Sequence, residues 1–308
     1  MNIMIMGASG MIGQSLVEAL RSSHTITVAG RTRAKLKNIF GNQYNIVTWN
    51  DLTAESLANY DIIINLAGAN IGKKRWTSSQ KQKIIDSRVK TTQILATYCA
   101  ALSPKAPRLM NANAIGIYGL SPTIEAQNTT IYDEDSKLPT PATDFLSEVG
   151  QQWEDALLPA KEAGVAVVEL RFAVVLSQKG GALAKMLPSF RMGLGTVLGS
   201  GKQSLSWVSL DDAVSAIAFL IEHQQATGVF NIVADEVVSQ KQFAKTLAQI
   251  LNRPCFLTLP SFLVTLLFGQ MGYELLLNGQ VVKAKRLRKL GFVFRFDKLK
   301  DALKNLLL

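Results

Sequence analysis

Cysteine and histidine are both scarce in this chain, with two of each among 308 residues. Cys99 and Cys255 lie far apart and lack the spacing of metal ligands. This scarcity argues against a disulfide framework or a metal centre and indicates a reducing compartment. The first residues form a strand-like pattern without a basic segment, so no signal peptide is predicted and a cytoplasmic location is expected.

Long uninterrupted apolar segments are also missing. The stretch from Cys255 to Tyr273 carries no charged residue, but its apolar run spans only Phe262 to Phe268. A membrane-spanning helix needs roughly 20 such residues, so this stretch is predicted as a buried or interface helix and no membrane is expected as a partner. Apolar helices within 261–277 lead to the hypothesis of a homodimer.

Acidic residues are outnumbered by basic ones, and the net charge is +10. From Gly279 onward there are nine Lys or Arg and two Asp. Such a tail could bind nucleic acid, but no aromatic side chain is interleaved among its cations from Lys283 to Lys289 as a stacking surface requires. The cations instead flank Val282, Leu287 and Leu290 at helical spacing, which predicts a solvated helix face and no nucleic-acid partner.

A glycine-spaced turn stands at the beginning of the chain. The apolar strand Asn2 to Met6 is followed by Gly7, Gly10 and Gly13 in a Gly-x-x-Gly-x-x-Gly pattern, and then by an amphipathic segment. The three glycines permit a tight turn, a close backbone approach to a pyrophosphate and close helix packing, in that order. The turn therefore predicts a dinucleotide site at the helix N-terminus, formed by Gly7, Ala8, Ser9, Gly10, Met11, Ile12 and Gly13.

Apolar strands alternate with helical segments along the first two thirds of the chain. This alternation predicts an α/β fold with a Rossmann-type doubly wound parallel sheet. Residues 1–234 are predicted to form this domain, with Gly-rich loops in 178–205 contributing to the cleft, and residues 235–308 a smaller mixed α/β lobe. The other predicted elements are strands at Thr25–Ala29, Asn45–Trp49, Tyr60–Leu66, Pro107–Asn113, Val165–Leu176 and Val229–Ala234, and helices at Ser78–Leu102, Thr143–Ala163 and Asp211–Glu222.

The end of the second strand indicates which dinucleotide binds. Sites that prefer NAD usually carry Asp or Glu there, whereas this chain has Arg31, with Arg33 two residues on. A guanidinium favours a 2′-phosphate through charge-assisted hydrogen bonds, so the cofactor is predicted to be NADP(H). The alternative is that Arg31 is a solvated loop charge.

Several motifs resemble those of a known family. The glycine turn, Asn65-Leu66-Ala67-Gly68 and Tyr118-Gly119 resemble extended short-chain dehydrogenases/reductases. Further motifs are similar to one atypical branch of that family, the sugar-nucleotide epimerase-like (YfcH-type) proteins, which have a Rossmann domain and a short C-terminal domain of unknown function. The resemblance covers the whole chain, and these further motifs include Lys74-Arg75-Trp76-Thr77, Ser87-Arg88-Val89, Gly199-Ser200-Gly201-Lys202-Gln203 and Gly279-Gln280-Val281.

The resemblance implies a cleft between two lobes that holds a dinucleotide and a small, anionic, sugar-nucleotide-like substrate. It implies further cofactor contacts from Leu66, Ala67, Gly68, Ala69 and Arg88. On the substrate side it implies Arg75, Asn113, Tyr118, Arg191 and Lys202. For the cations among them, the alternative is that several are surface charges.

The chain departs from the wider superfamily where catalysis is concerned. Active members use a Tyr-x-x-x-Lys pair, and its two positions fall here near Leu146 and Gly150, while the usual serine position falls on Asn113. No Tyr or Lys lies between Lys137 and Lys161. Asn113 and Tyr118 are weak candidates for the missing role, with Glu134 and Asp135 of the long loop as others. The chain is therefore interpreted as an NADP-dependent epimerase or oxidoreductase or, alternatively, as a catalytically silent NADP(H)-sensing regulatory protein.

Overall fold

A computed structural model of the chain describes residues 1–121 and 130–308. The strands are β1 (Asn2–Met6), β2 (Thr25–Gly30), β3 (Asn45–Thr48), β4 (Ile62–Asn65), β5 (Arg108–Ala114), β6 (Ile131–Tyr132), β7 (Val167–Phe172), β8 (Val174–Leu176), β9 (Thr196–Leu198), β10 (Ser204–Leu205), β11 (Trp207–Ser209), β12 (Gly228–Ile232), β13 (Val238–Ser239), β14 (Leu257–Leu259) and β15 (Val281–Val282). The helices are α1 (Met11–Leu20), α2 (Arg33–Phe40), α3 (Ala54–Leu57), α4 (Ser78–Ala101), α5 (Phe145–Asp155), α6 (Leu158–Glu162), α7 (Gly181–Arg191), α8 (Leu210–Glu222), α9 (Gln240–Ile250), α10 (Ser261–Phe268), α11 (Gln270–Leu276), α12 (Lys285–Lys289) and α13 (Leu299–Leu307). Short 3-10 helices lie at Trp49–Asp51 and Ile115–Tyr118.

A seven-stranded sheet in the order β12-β7-β5-β4-β1-β2-β3 forms the centre of the molecule. All of its strand pairs are parallel. The chain runs outward from β1 to β3 and then crosses to β4, so the strand order reverses between β1 and β4. Ligands of open α/β sheets bind outside the carboxyl ends of the strands at such a switch point. The predicted α/β doubly wound fold is confirmed.

Side chains of β1 alternate between two cores, one on each face of the sheet. Ile3 and Ile5 join the core that includes residues of α1 and α8, while Met4 and Met6 join the core that includes residues of α4 and α6. Because successive residues of a strand point to opposite faces, a continuous apolar strand buries itself between two helical layers.

Two predicted elements are each divided in the structure. The predicted helix over 143–163 is two helices, α5 and α6, because Pro159 lies in the first turn of α6 and cannot donate a backbone hydrogen bond to an extended α5. The predicted strand over 165–176 divides at Ala173. The Ala173 N–H donates to Ile232 O, and the next N–H donates to Ser206 O, so the chain leaves the main sheet there to pair with β11.

The segment predicted to consist of Gly-rich loops, 178–205, contains the eleven-residue helix α7. Its buried residues Leu183, Leu187 and Phe190 follow helical spacing, a signal that the surrounding glycines obscured. They pack with Trp207 and with α9 and α13 in a separate hydrophobic cluster.

The C-terminal segment contributes to more than one core. Residues of α9 and α13 pack beside α7, whereas Val282, Leu287, Phe292 and Phe294 return to the core of the main sheet. Three cations of the predicted solvated face keep at least 30% of their side chains exposed and also form ion pairs, Lys285 with Asp133 and Asp135, Arg286 with Asp135, and Arg288 with Asp235 and Asp297. None of the helices within the described residues has both the length and the apolarity that crossing a membrane requires.

Candidate functional site

The glycine turn joins β1 to α1 at the switch point of the sheet. Gly7 has a φ of +73°, and a Cβ placed on it would lie 2.7 Å from Leu66 O. A Cβ on Gly13 would lie 2.6 Å from Gly7 O, so only glycine permits α1 to approach the strand this closely. Helix α1 has Gly10 as its N-cap, with no side-chain cap and no acidic residue in its first turn. Its first N–H groups are therefore available to an anion.

A small cavity opens beside this turn, at the end of β2. It has a volume of about 160 Å³ and is lined by Ser9, Arg31, Thr32, Lys35 and Leu36. Two cations and two hydroxyl groups converge there, which is the donor set that a phosphate dianion requires. Lys35 was not singled out in the sequence, although its position four residues after Arg31, in the first turn of α2, returns it to the same side.

Arg33 lies outside the lining of that cavity. Its Nη2 contacts Asp51 Oδ2 at 2.8 Å, and its Nη1 donates to Ile46 O at 2.8 Å. The pKa of the Asp51 carboxyl is lowered, first by hydrogen bonds from Thr48 and then by Arg33. The ion pair directs the Arg33 side chain toward β3 and away from the cavity, so its expected contact with the cofactor beside Arg31 stays a prediction.

The loop after β4 forms the other wall of the switch-point crevice, and it contains Leu66, Ala67, Gly68 and Ala69. Asn65 Oδ1 accepts from Ala67 N at 3.2 Å, and Ser87 Oγ accepts from Ala69 N at 2.9 Å. Arg88 reaches the same loop from α4, where its Nη2 donates to Ala69 O at 3.0 Å. Asn65 Nδ2 donates buried hydrogen bonds to Thr92 of α4 and Asn111 of β5, which hold the start of the loop against these two elements.

Asn113 and Tyr118 are buried beneath the cleft. Asn113 Nδ2 donates to Gly150 O and Glu169 Oε1, at 3.0 and 3.3 Å. The Tyr118 hydroxyl donates to Asn231 Oδ1 and accepts from Arg171 Nη1, both at 3.0 Å, and its side chain is 2% exposed. Burial raises the pKa of Tyr118, against the Arg171 charge that lowers it. Both side chains therefore hold neighbouring elements together through hydrogen bonds. These bonds argue against the expectation that Asn113 and Tyr118 face a substrate.

The positions where the superfamily carries its Tyr-x-x-x-Lys pair pack against the 3-10 helix Ile115–Tyr118. The Leu146 side chain covers Gly116, with its Cβ 3.1 Å from where a Cβ of Gly116 would lie. A Cβ on Gly150 would lie 2.7 Å from Ile117 Cβ. A lysine at position 150 therefore requires the 3-10 helix Ile115–Tyr118 to move.

Glu134 is also directed inward rather than into the cleft. Its carboxylate accepts hydrogen bonds from the backbone N–H groups of Asn231, Lys285 and Arg286. Burial raises its pKa, although these hydrogen bonds act in the opposite direction. The carboxylate therefore joins the C-terminal segment to β12, an internal role that argues against Glu134 as a candidate proton-transfer group.

The three cations expected on the substrate side lie on different elements. The Arg75 guanidinium lies over Gly269 at the junction of α10 and α11. Arg191 ends α7, and its Nη2 contacts Gln178 Oε1 at 3.3 Å. Lys202 lies in the turn formed by Gly199 and Gly201, where its backbone N–H donates to Ser200 Oγ. These contacts do not establish a common role for the three side chains, which stays a prediction.

Across residues 1–121 and 130–308, no group of three or more His, Cys, Asp or Glu side chains is arranged to hold a metal ion.

Comparison with known proteins places these features in a family. The model of the NAD dependent epimerase/dehydratase family matches residues 3–233, and a domain of unknown function, DUF1731, matches residues 259–306. An epimerase family protein of Staphylococcus saprophyticus is 38% identical over 305 residues, covering 98% of each chain. One of Mycobacterium leprae is 34% identical over 303 residues, covering 98% of this chain and 94% of its own.

Solved structures agree with this assignment. Human epimerase family protein SDR39U1, crystallised with NADPH, has a TM-score of 0.85 and 31% identity, with 99% of both chains covered. UDP-glucuronic acid 4-epimerase from Bacillus cereus, in complex with NAD, has a TM-score of 0.74 at 17% identity, covering 99% of this chain and 96% of its own, which shows a shared fold. The family resemblance inferred from the motifs is confirmed, and the chain belongs to the NAD-dependent epimerase/dehydratase family.

Proposed function

We propose that the protein binds NADP(H) and distinguishes it from NAD(H) by the 2′-phosphate. The observation that carries the proposal is the cavity at the end of β2, where Arg31 and Lys35 meet the hydroxyl groups of Ser9 and Thr32. Neither cation forms an ion pair with a described carboxylate, so both are available to a phosphate. The NADPH in the human relative supports the same choice.

The remainder of the dinucleotide would occupy the crevice next to this cavity. The first N–H groups of α1 would hold the pyrophosphate, and Gly10 leaves room for it because no side chain projects there. The loop of Leu66, Ala67, Gly68 and Ala69 would line the opposite wall, toward the nicotinamide. When bound, the cofactor supplies a hydride acceptor or donor.

The proposed reaction is epimerisation or oxidoreduction of an anionic, sugar-nucleotide-like substrate. Family membership supports this class of reaction, and the exposed cations Arg75, Arg191 and Lys202 support an anionic substrate. Proton transfer would need a group other than the superfamily's tyrosine and lysine, because Leu146 and Gly150 occupy those positions.

A catalytically silent NADP(H)-sensing protein is the second candidate. It is favoured by the tight packing of Leu146 on Gly116 and of Gly150 on Ile117, which leaves no room for the superfamily's lysine. In this case cofactor occupancy would be signalled through the C-terminal segment, whose residue Glu274 hydrogen-bonds to the first turn of α5.

Two measurements test these proposals. The affinities for NADPH and NADH are compared by nicotinamide fluorescence in the wild-type protein and in Arg31→Glu. We expect a clear NADPH preference in the wild type and its loss in the variant; equal affinities in the wild type would contradict the proposal. Chromatography of a sugar-nucleotide panel incubated with NADP⁺-loaded protein then separates the two candidates, since an epimerase converts a substrate and a sensor converts none.

A homodimer and a cytoplasmic location are further parts of the proposal. The outer face of α10 and α11 exposes Phe262, Leu266, Leu267 and Tyr273, each by more than half of its surface. Exposed apolar patches of this kind mark interaction sites. Both cysteines are free, which supports a reducing compartment. A monomeric mass in light scattering at working concentration would contradict the homodimer.

A further inference from the structure

The small sheet of β9 and β14 has two edges that differ in their hydrogen bonding. On the β9 edge, Gln240 Oε1 accepts from Leu198 N and Gln203 Nε2 donates to Leu198 O, both at 3.0 Å. These side-chain amides supply the hydrogen bonds that a further strand would make. Among the residues that the structure describes, none forms a hydrogen bond to the outer edge of β14. That edge therefore presents backbone donors and acceptors to which another strand can bind.

The pairing of β14 with β9 identifies the free backbone groups. Gly199 N donates to Leu259 O at 2.8 Å, so the backbone of Leu259 faces β9. Backbone groups of successive residues in a strand point to opposite edges, so Leu257 also faces β9. Phe256 and Thr258 alternate with these two leucines and direct their N–H and C=O groups outward.

Two prolines limit the length of this free edge. Pro254 and Pro260 lie at the next outward positions on either side, and proline has no N–H to donate. A partner strand must therefore match one N–H and one C=O from Phe256 and one of each from Thr258. An identical strand that runs antiparallel, with its Thr258 opposite Phe256, satisfies all of these groups in both copies.

The distribution of charge also favours a second copy of the chain as the partner. Each copy carries a net charge of +10, so two copies repel each other unless they meet at a surface without charges. The longest stretch of the sequence with no charged residue runs from Pro254 to Tyr273. It includes β14 and all of α10, and its residues Phe256, Phe262 and Leu266 are 76, 69 and 67% exposed. A two-fold interface places one patch against itself, which an uncharged apolar segment permits.

We propose that two copies of the chain join through antiparallel pairing of their β14 strands. The two small sheets then become one sheet in the order β9-β14-β14-β9 across a two-fold axis, and apolar side chains of α10 are covered at the same interface. This inference rests on the homodimer of the proposed function and specifies the strand through which it forms.

The test compares the full chain as wild type, Thr258→Pro and Thr258→Val. Proline at position 258 deletes an outward N–H and leaves the hydrogen bonds between β14 and β9 in place, as edge prolines do. Valine is the matched control, because it keeps the N–H and the branched shape of threonine. Sedimentation equilibrium gives the dimer dissociation constant of each protein, and circular dichroism verifies that each is folded.

We expect Thr258→Pro to raise the dissociation constant at least about tenfold, because one hydrogen bond is lost from each copy, and Thr258→Val to change it by less than about twofold. An unchanged dissociation constant in a folded Thr258→Pro protein would overturn the inference and leave a homodimer that uses another surface. A wild type that stays monomeric at every concentration would overturn both the inference and the homodimer, without bearing on NADP(H) binding.

Hydrogen exchange in the wild-type protein covers the case in which Thr258→Pro does not fold. The amide protons of Phe256 and Thr258 are followed by nuclear magnetic resonance at protein concentrations below and above the dissociation constant. Protection of both amides that increases with the dimer fraction supports the inference. A dimer in which both amides exchange as fast as in the monomer overturns it.

Discussion

The two ends of the crevice are built in opposite ways. At the end of β2, Arg31 and Lys35 surround an open cavity and form no ion pair with a described carboxylate. At the far end, Leu146 and Gly150 are packed against the 3-10 helix, and the polar atoms of Tyr118 are satisfied within the protein. One end therefore presents an open cavity lined by cations, while the other is packed by apolar contacts.

This difference shows that nucleotide binding and reaction chemistry depend on separate parts of one fold. The turn and the β2 cavity need glycines and cations at a few fixed positions. The chemical groups of the superfamily project from α5, and the close approach of α5 to the 3-10 helix has replaced them here with an apolar contact. Four changes test how independent the two ends are.

The largest effect is expected for Gly13→Ala. The new Cβ would lie 2.6 Å from Gly7 O, so α1 must move away from the turn and its N–H groups lose their alignment. We expect loss of measurable NADPH binding and a decrease of about 1–3 kcal/mol in the free energy of unfolding, as for overpacked sites. Gly30→Ala is the control, because its Cβ would make ordinary contacts at 3.6 Å.

A smaller effect is expected at the 2′-phosphate. Lys35→Gln should weaken NADPH binding about tenfold and leave NADH binding unchanged, because one charge-assisted hydrogen bond is lost. Arg33→Gln is the matched control, since Arg33 pairs with Asp51 outside the cavity. If both variants lose NADPH affinity equally, the cavity is not the phosphate site.

At the far end, Gly150→Ala should lower the free energy of unfolding by about 1–3 kcal/mol, since its Cβ would meet Ile117 at 2.7 Å. Urea denaturation measures this change. The control is Gln152→Ala on the same helix, which should change it by less than about 0.5 kcal/mol. A Gly150→Ala protein as stable as the wild type would show that the contact between α5 and Ile117 is not close-packed.

The smallest effect concerns Glu274, which joins α11 to the start of α5. It is 3% exposed, and burial raises its pKa above the ordinary 4.5, against the hydrogen bonds from Gln270 and Leu146. The unfolded chain therefore loses this proton first, and this carboxyl lowers stability as the pH rises from about 4.5 through the folded-state pKa. Glu274→Gln should lack this decline and Glu148→Gln should retain it, when unfolding is followed from pH 4 to 7.

The sequence predicted the parts of the molecule that local patterns control. The bounds of β1 are those predicted, because a short apolar run that ends at Gly7 is typical of a buried strand. Arg31 lines the cavity, as its position directly after β2 predicts. Arg33 could not be placed from sequence, since its partner Asp51 lies 18 residues away. The burial of Tyr118 depends on Asn231, 113 residues on, and such distant pairs leave no local signal. The boundary at residue 234 and the roles of Arg75, Arg191 and Lys202 stay predictions.

The return of Phe292 and Phe294 to the core of the main sheet has a consequence for the synthesis of the protein. A ribosome adds the N-terminal strands and helices first, but Phe219 of α8 packs against Phe292, which is synthesised 73 residues later. The nascent protein therefore exposes that part of the surface of α8 until residue 292 has been added and can fold back onto it. A chaperone that recognises apolar segments would have its best opportunity there, and premature termination before residue 292 would leave the surface open.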